Sequence, residues 1–159
     1  MRILLIALIF LSSCNQTQKK KKKEVGDIDF ETHVEPMEEN LKLQVFTKFP
    51  TEIEGCSCYF SRDSIGFANQ RYIFVDNFED VAFVKVNGEL VRLTRKRSED
   101  LEDNSVKTIY KNENYNISVK VFEGKTSGDE AWLNQGTIRL RSIQTDEVVE
   151  TEFFGECGC

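Results

Sequence analysis

Cys56-Ser57-Cys58 and Cys157-Gly158-Cys159 are the residues with the most chemistry open to them. In an extended strand, residues i and i+2 point to one face, so each pair can present two sulfurs together. If the strands that carry the pairs are neighbours, four sulfurs meet. Three chemistries follow. The leading one is two disulfides that clasp the ends of a domain, with cross-strand bonds favoured over a bond inside Cys-x-Cys. A bridge that closes a loop of about 100 residues contributes roughly 4–5 kcal/mol in the chain-entropy picture. The second is a tetrathiolate site for Zn²⁺ or Cu⁺, although a zinc ribbon places two or more residues between paired cysteines. The third is a redox dithiol at Cys157 and Cys159. There, neighbouring Glu156 would raise a thiol pKa rather than lower it.

Cys14 is the fifth cysteine and sits in a different setting. Met1-Arg2 is a short basic start, and Ile3 to Leu11 is an apolar run too short to span a bilayer. Leu11-Ser12-Ser13 then places small residues before the thiol, as at the end of a secretory signal peptide. Leu11-Ser12-Ser13-Cys14 resembles the lipobox of bacterial lipoproteins. That resemblance implies cleavage before Cys14, a diacylglyceryl group on its sulfur, and acylation of the new amino terminus. Two or more acyl chains hold a protein stably at a membrane, whereas one holds it marginally. Asn15 follows, which in lipoproteins fits onward transport to an outer membrane. The expected layout is a signal peptide over 1–13, lipidated Cys14 with a tether over 14–40, and a folded domain over 41–159.

Charge divides along the same line. Residues 1–23 hold Arg2 and Lys19 to Lys23 and no acid. The rest carries fifteen basic and twenty-seven acidic residues, a net of −12. The lysines read as a solvated tether that can touch anionic headgroups. An acidic body excludes nucleic acid as a natural partner, since phosphate binding needs clustered Lys and Arg. It suits a basic envelope or extracellular protein instead. His33, the one histidine, falls in the acidic linker and reads as a solvated side chain. The chain has no glycine-rich phosphate loop, nucleophile elbow or His-Glu-x-x-His. No enzyme is expected, and no cofactor unless free thiolates bind zinc or copper.

The elements that must position the cysteines read as strands. Leu41, Leu43 and Val45 alternate with polar residues, a period of two. Ile53 to Phe60 carries the first cysteine pair. Arg71 to Val75 is aromatic and β-branched, as strands favour. Val81 to Val86 and Glu89 to Leu93 flank Asn87-Gly88, a strong type I′ hairpin cue. Ser105 to Tyr110, Asn116 to Phe122, Thr137 to Ile143 and Val148 to Phe154 complete the set. Lys96 to Asn104 and Gly124 to Glu130 read as loops, and Glu130 to Leu133 as a short helical turn. Trp132 is expected to pack in the core or against a loop, and Tyr59, Phe67 and Tyr72 to pack rather than line a binding face. These segments predict an all-β single domain, a sandwich or barrel of eight or nine short antiparallel strands. The expected role is a lipid-anchored envelope protein that binds or supports without catalysis. Thiolate metal binding is the alternative.

Overall fold

The computed structural model describes residues 40–159. The signal segment, Cys14, Lys19 to Lys23 and His33 lie outside the described residues. Nine strands follow in chain order: β1 (Leu43–Gln44), β2 (Ser57–Ser61), β3 (Tyr72–Asp76), β4 (Val81–Val86), β5 (Glu89–Asp100), β6 (Ser105–Lys111), β7 (Tyr115–Gly128), β8 (Ala131–Ser142) and β9 (Val148–Gly158). A five-residue helix, α1 (Ser64–Ala68), lies between β2 and β3.

From β2 to β9 each strand pairs antiparallel with the next, and β9 returns to pair with β2. The result is a closed eight-stranded up-and-down barrel, and β1 is an extra strand on β4 beyond the stretch paired with β3. Closure leaves this ring without the open edges that invite aggregation. The expected all-β domain is therefore a barrel.

Local sequence explains the turns. Asn87 (φ 47°) and Gly88 (φ 91°) both lie in the left-handed region, as a type I′ turn needs, and Val86 pairs with Glu89 across them. Asp63 caps α1 by accepting from the Gly66 N–H at 2.6 Å. Gly155 serves a different need. A Cβ there would lie 2.2 Å from the Tyr59 carbonyl oxygen and 2.7 Å from the Phe60 ring, so only glycine lets β9 seat against β2.

Strand alternation separates two apolar clusters. The inner one gathers Phe60, Phe74, Val84, Leu93, Tyr110, Ile117, Val119, Ile138, Leu140 and Phe153. Leu41 and Leu43 join it, so the leading segment contributes to the barrel core. Phe60 stacks on Phe153 with centroids 4.0 Å apart, across the seam between β2 and β9. The outer cluster holds Phe46, Ile53, Tyr72, Val75, Val81 and Phe83, with Tyr59 and Phe67 against it. Here Phe67 of α1 stacks on Tyr59. Tyr59, Phe67 and Tyr72 thus pack, as their aromatic bulk suggests.

Several boundaries differ from the sequence reading. Ile53 to Cys56 precedes β2 rather than belonging to it. Lys96 to Asp100 continues β5 through a bulge between Arg95 and Arg97. Gly124 to Gly128 continues β7, and Ala131 to Leu133 opens β8 instead of forming a helical turn.

Candidate functional site

Four connections define one end of the barrel: the β3–β4 turn, the β5–β6 turn, the β7–β8 turn, and the start of β2 beside the end of β9. The cysteines close this end. Cys58 and Cys157 are register partners on β2 and β9 and are joined by a disulfide. Cys56 and Cys159 form a second disulfide at the rim. The pairs bridge sequence separations of 99 and 103 residues, so the clasp lies on the seam that makes the barrel a ring. All four sulfurs are engaged in these bonds. Among the described residues no group of three or more His, Cys, Asp or Glu is placed to hold a metal ion. Glu156 points away from the inner sulfurs. Its carboxylate accepts from the Tyr59 hydroxyl, and from Ser127 Oγ at 2.7 Å.

Behind the clasp the barrel is not filled to its end. A cavity of about 500 Å³ lies above Phe60, Tyr110 and Val119 of the inner core, and the Cys58–Cys157 disulfide lines one wall. Eight-stranded barrels are just wide enough to be filled by side chains or to hold one small ligand. Residues Arg95 to Asp100 run on past Val81, the first residue of β4. With β7 they raise the wall on one side.

Depth sorts the lining. Asp76 and Asn134 are buried polar groups at the floor, together with Tyr110. Phe78, Arg95, Ser98, Asn104, Val106, Glu123 and Trp132 are exposed at the mouth. Phe78, Val106 and Trp132 are each more than a third exposed despite being large and apolar, an arrangement that marks binding surfaces when such residues cluster.

Asp76 is the centre of the floor. Its Oδ2 accepts from the Tyr110 hydroxyl at 2.7 Å. Its Oδ1 accepts from the Phe78 N–H at 3.0 Å and the Cys58 N–H at 3.4 Å. Burial raises its pKa above the ordinary carboxyl value. The Tyr110, Phe78 and Cys58 hydrogen bonds and the Arg95 charge offset that only in part. Burial is also the main cause that raises the Tyr110 phenol, and the Asp76 charge adds to it. Phe78 has φ 62°, in the left-handed region. The bond from its N–H to Asp76 holds this strained residue at the cavity mouth.

The sequence singles out the four body cysteines and favours cross-strand disulfides, and the structure selects Cys56–Cys159 and Cys58–Cys157; no motif in the sequence marks the cavity. Trp132 is at its mouth rather than in the core. Asp76 reads in sequence as the polar residue that breaks an apolar run. Its phase is the one available signal: it lies two residues from Phe74, on the same inward face.

No protein-family model, curated protein or solved structure matches the chain.

Proposed function

We propose that this protein is a lipid-anchored bacterial envelope protein whose barrel binds a small molecule without catalysis. The observation that carries the reading is the cavity of about 500 Å³ behind the disulfide clasp, where Phe78, Val106 and Trp132 stand among polar residues at the mouth and Asp76, Tyr110 and Asn134 stand beside Phe60 and Val119 at the floor. That volume falls in the range of small-ligand pockets, which pair apolar walls with a few placed polar groups. The lipobox-like segment ending at Cys14 supports membrane attachment. The disulfides agree with an oxidising compartment such as the periplasm or cell exterior. Asn15 after the lipidated position favours the outer membrane. The Lys19 to Lys23 run suits a tether beside anionic headgroups.

The test uses the chain's one tryptophan. Trp132 stands at the cavity mouth, so a bound dye that absorbs its emission quenches it by energy transfer. The neutral naphthalene dye prodan should do so saturably. Thr108 and Val121 line the cavity from β6 and β7. A variant with Thr108→Phe and Val121→Phe should keep the barrel's circular dichroism and lose the quenching. Absence of saturable quenching in the unaltered protein would count against the reading.

A further inference from the structure

Which ligand the cavity takes follows from the hydrogen-bonding groups its floor has left. The Tyr110 hydroxyl proton is engaged by Asp76, so its oxygen faces any ligand as an acceptor. Asn134 donates one Nδ2–H to the Trp132 carbonyl at 2.9 Å; its amide oxygen is an acceptor and its second N–H a single remaining donor. Asp76 is a carboxylate with acceptor capacity beyond its three donors. No ion pair among the described residues involves it. The floor is therefore rich in acceptors and holds a single formal charge, which is negative.

The mouth does not reverse that sign. Arg95 and Glu123 carry opposite charges and are both exposed there; the Arg95 charge reaches Asp76 and favours its ionised form, but exposed charges are screened by water and salt. A buried charge is screened much less, so Asp76 dominates for any group that reaches the floor.

We infer that the cavity binds an organic ammonium ion head-first, its N–H groups toward Asp76, Tyr110 and Asn134 and its apolar body against Phe78, Val106, Val121 and Trp132. The inference rests on the binding role proposed above and adds the ligand's chemical class. A cation at the floor also offsets the desolvation that raises the Asp76 carboxyl. The indole and phenyl faces of Trp132 and Phe78 tolerate positive charge passing the mouth, since aromatic faces attract cations.

A matched series tests it: 4-phenylbutylamine, 4-phenylbutanol and 4-phenylbutyrate, each displacing prodan from the oxidised protein with Trp132 emission as the readout. The amine should bind at least about tenfold more tightly than the alcohol, and the carboxylate most weakly, as expected for pairing with a poorly solvated charge. Asp76→Asn keeps an oxygen for Tyr110 and should bring amine and alcohol to equal affinity. Glu123→Gln should leave the amine preference intact, and it serves as the discriminating variant if Asp76→Asn fails to fold. Equal binding of amine and alcohol by the unaltered protein, or tightest binding of the carboxylate, overturns the inference while leaving a cavity that binds prodan. Loss of the preference in Glu123→Gln, or its survival in Asp76→Asn, likewise overturns it. A protein that never binds prodan overturns both this inference and the proposed function.

Discussion

Tyr110 donates its hydroxyl to the Asp76 carboxylate at 2.7 Å, which joins β6 to β3 although the two strands are not neighbours in the barrel. This bond ties opposite parts of the wall together below the cavity. Tyr110→Phe removes the donor and leaves a buried carboxylate oxygen short of a partner. The expected loss is about 1–3 kcal/mol, the penalty for an unsatisfied buried group. Urea unfolding measures it, and a double-mutant cycle with Asp76→Asn should return a coupling well above zero. Strictly additive losses would mean the two side chains do not support one another.

The two disulfides should be strongly non-additive. Cys58–Cys157 and Cys56–Cys159 close nearly the same loop, with sequence separations of 99 and 103 residues. In the chain-entropy picture, deleting either pair leaves the unfolded chain cross-linked by the other. Deleting both releases the whole constraint, about 4–5 kcal/mol for a loop near 100 residues. Each paired Cys→Ser variant should therefore lose much less than half of what the quadruple variant loses. Equal, additive steps in urea unfolding would contradict this.

Alkali should unfold the barrel before it ionises the packed phenols. Tyr59, Tyr72 and Tyr110 are each raised above the ordinary value of 10.0, with burial as the largest cause. For Tyr59 the Glu156 hydrogen bond adds to burial. An unfolded phenol ionises near pH 10, while these folded ones stay neutral. Their contribution is thus fully present below about pH 10 and is lost as pH rises above it. Absorbance at 295 nm should show late phenolate formation that coincides with loss of the β-sheet signal. Normal titration of every tyrosine with the fold intact would contradict the packing described.

Much of this architecture was legible because turns and alternation are local. Asn87-Gly88 announced its hairpin through the positive φ that a type I′ turn demands. Cys56/Cys58 and Cys157/Cys159 have a spacing that puts paired sulfurs on one face, which fits cross-strand disulfides and a metal site alike; the register of β2 against β9 decides for the disulfides. The rim of the barrel was not legible. Lys96 to Asp100 and Gly124 to Gly128 are mostly exposed, so their sequence lacks the alternation that reveals a strand. Their pairing comes from neighbouring strands rather than from burial. The cavity was hidden for a related reason. It is made by what eight strands leave unfilled, and no single segment of Asp76, Tyr110 or Trp132 encodes that space.

The central claim is that a small molecule enters the barrel at its clasped end. Methyl-resolved NMR of the oxidised protein titrated with prodan tests it most directly. The account predicts saturable shifts at the methyls of Val106, Val119 and Val121 and at the Trp132 indole, all of which line the cavity. Phe122, Leu133 and Phe154 line a separate groove. Shifts confined to Leu133 and its surroundings there, with Val119 and Val121 unmoved, would contradict it.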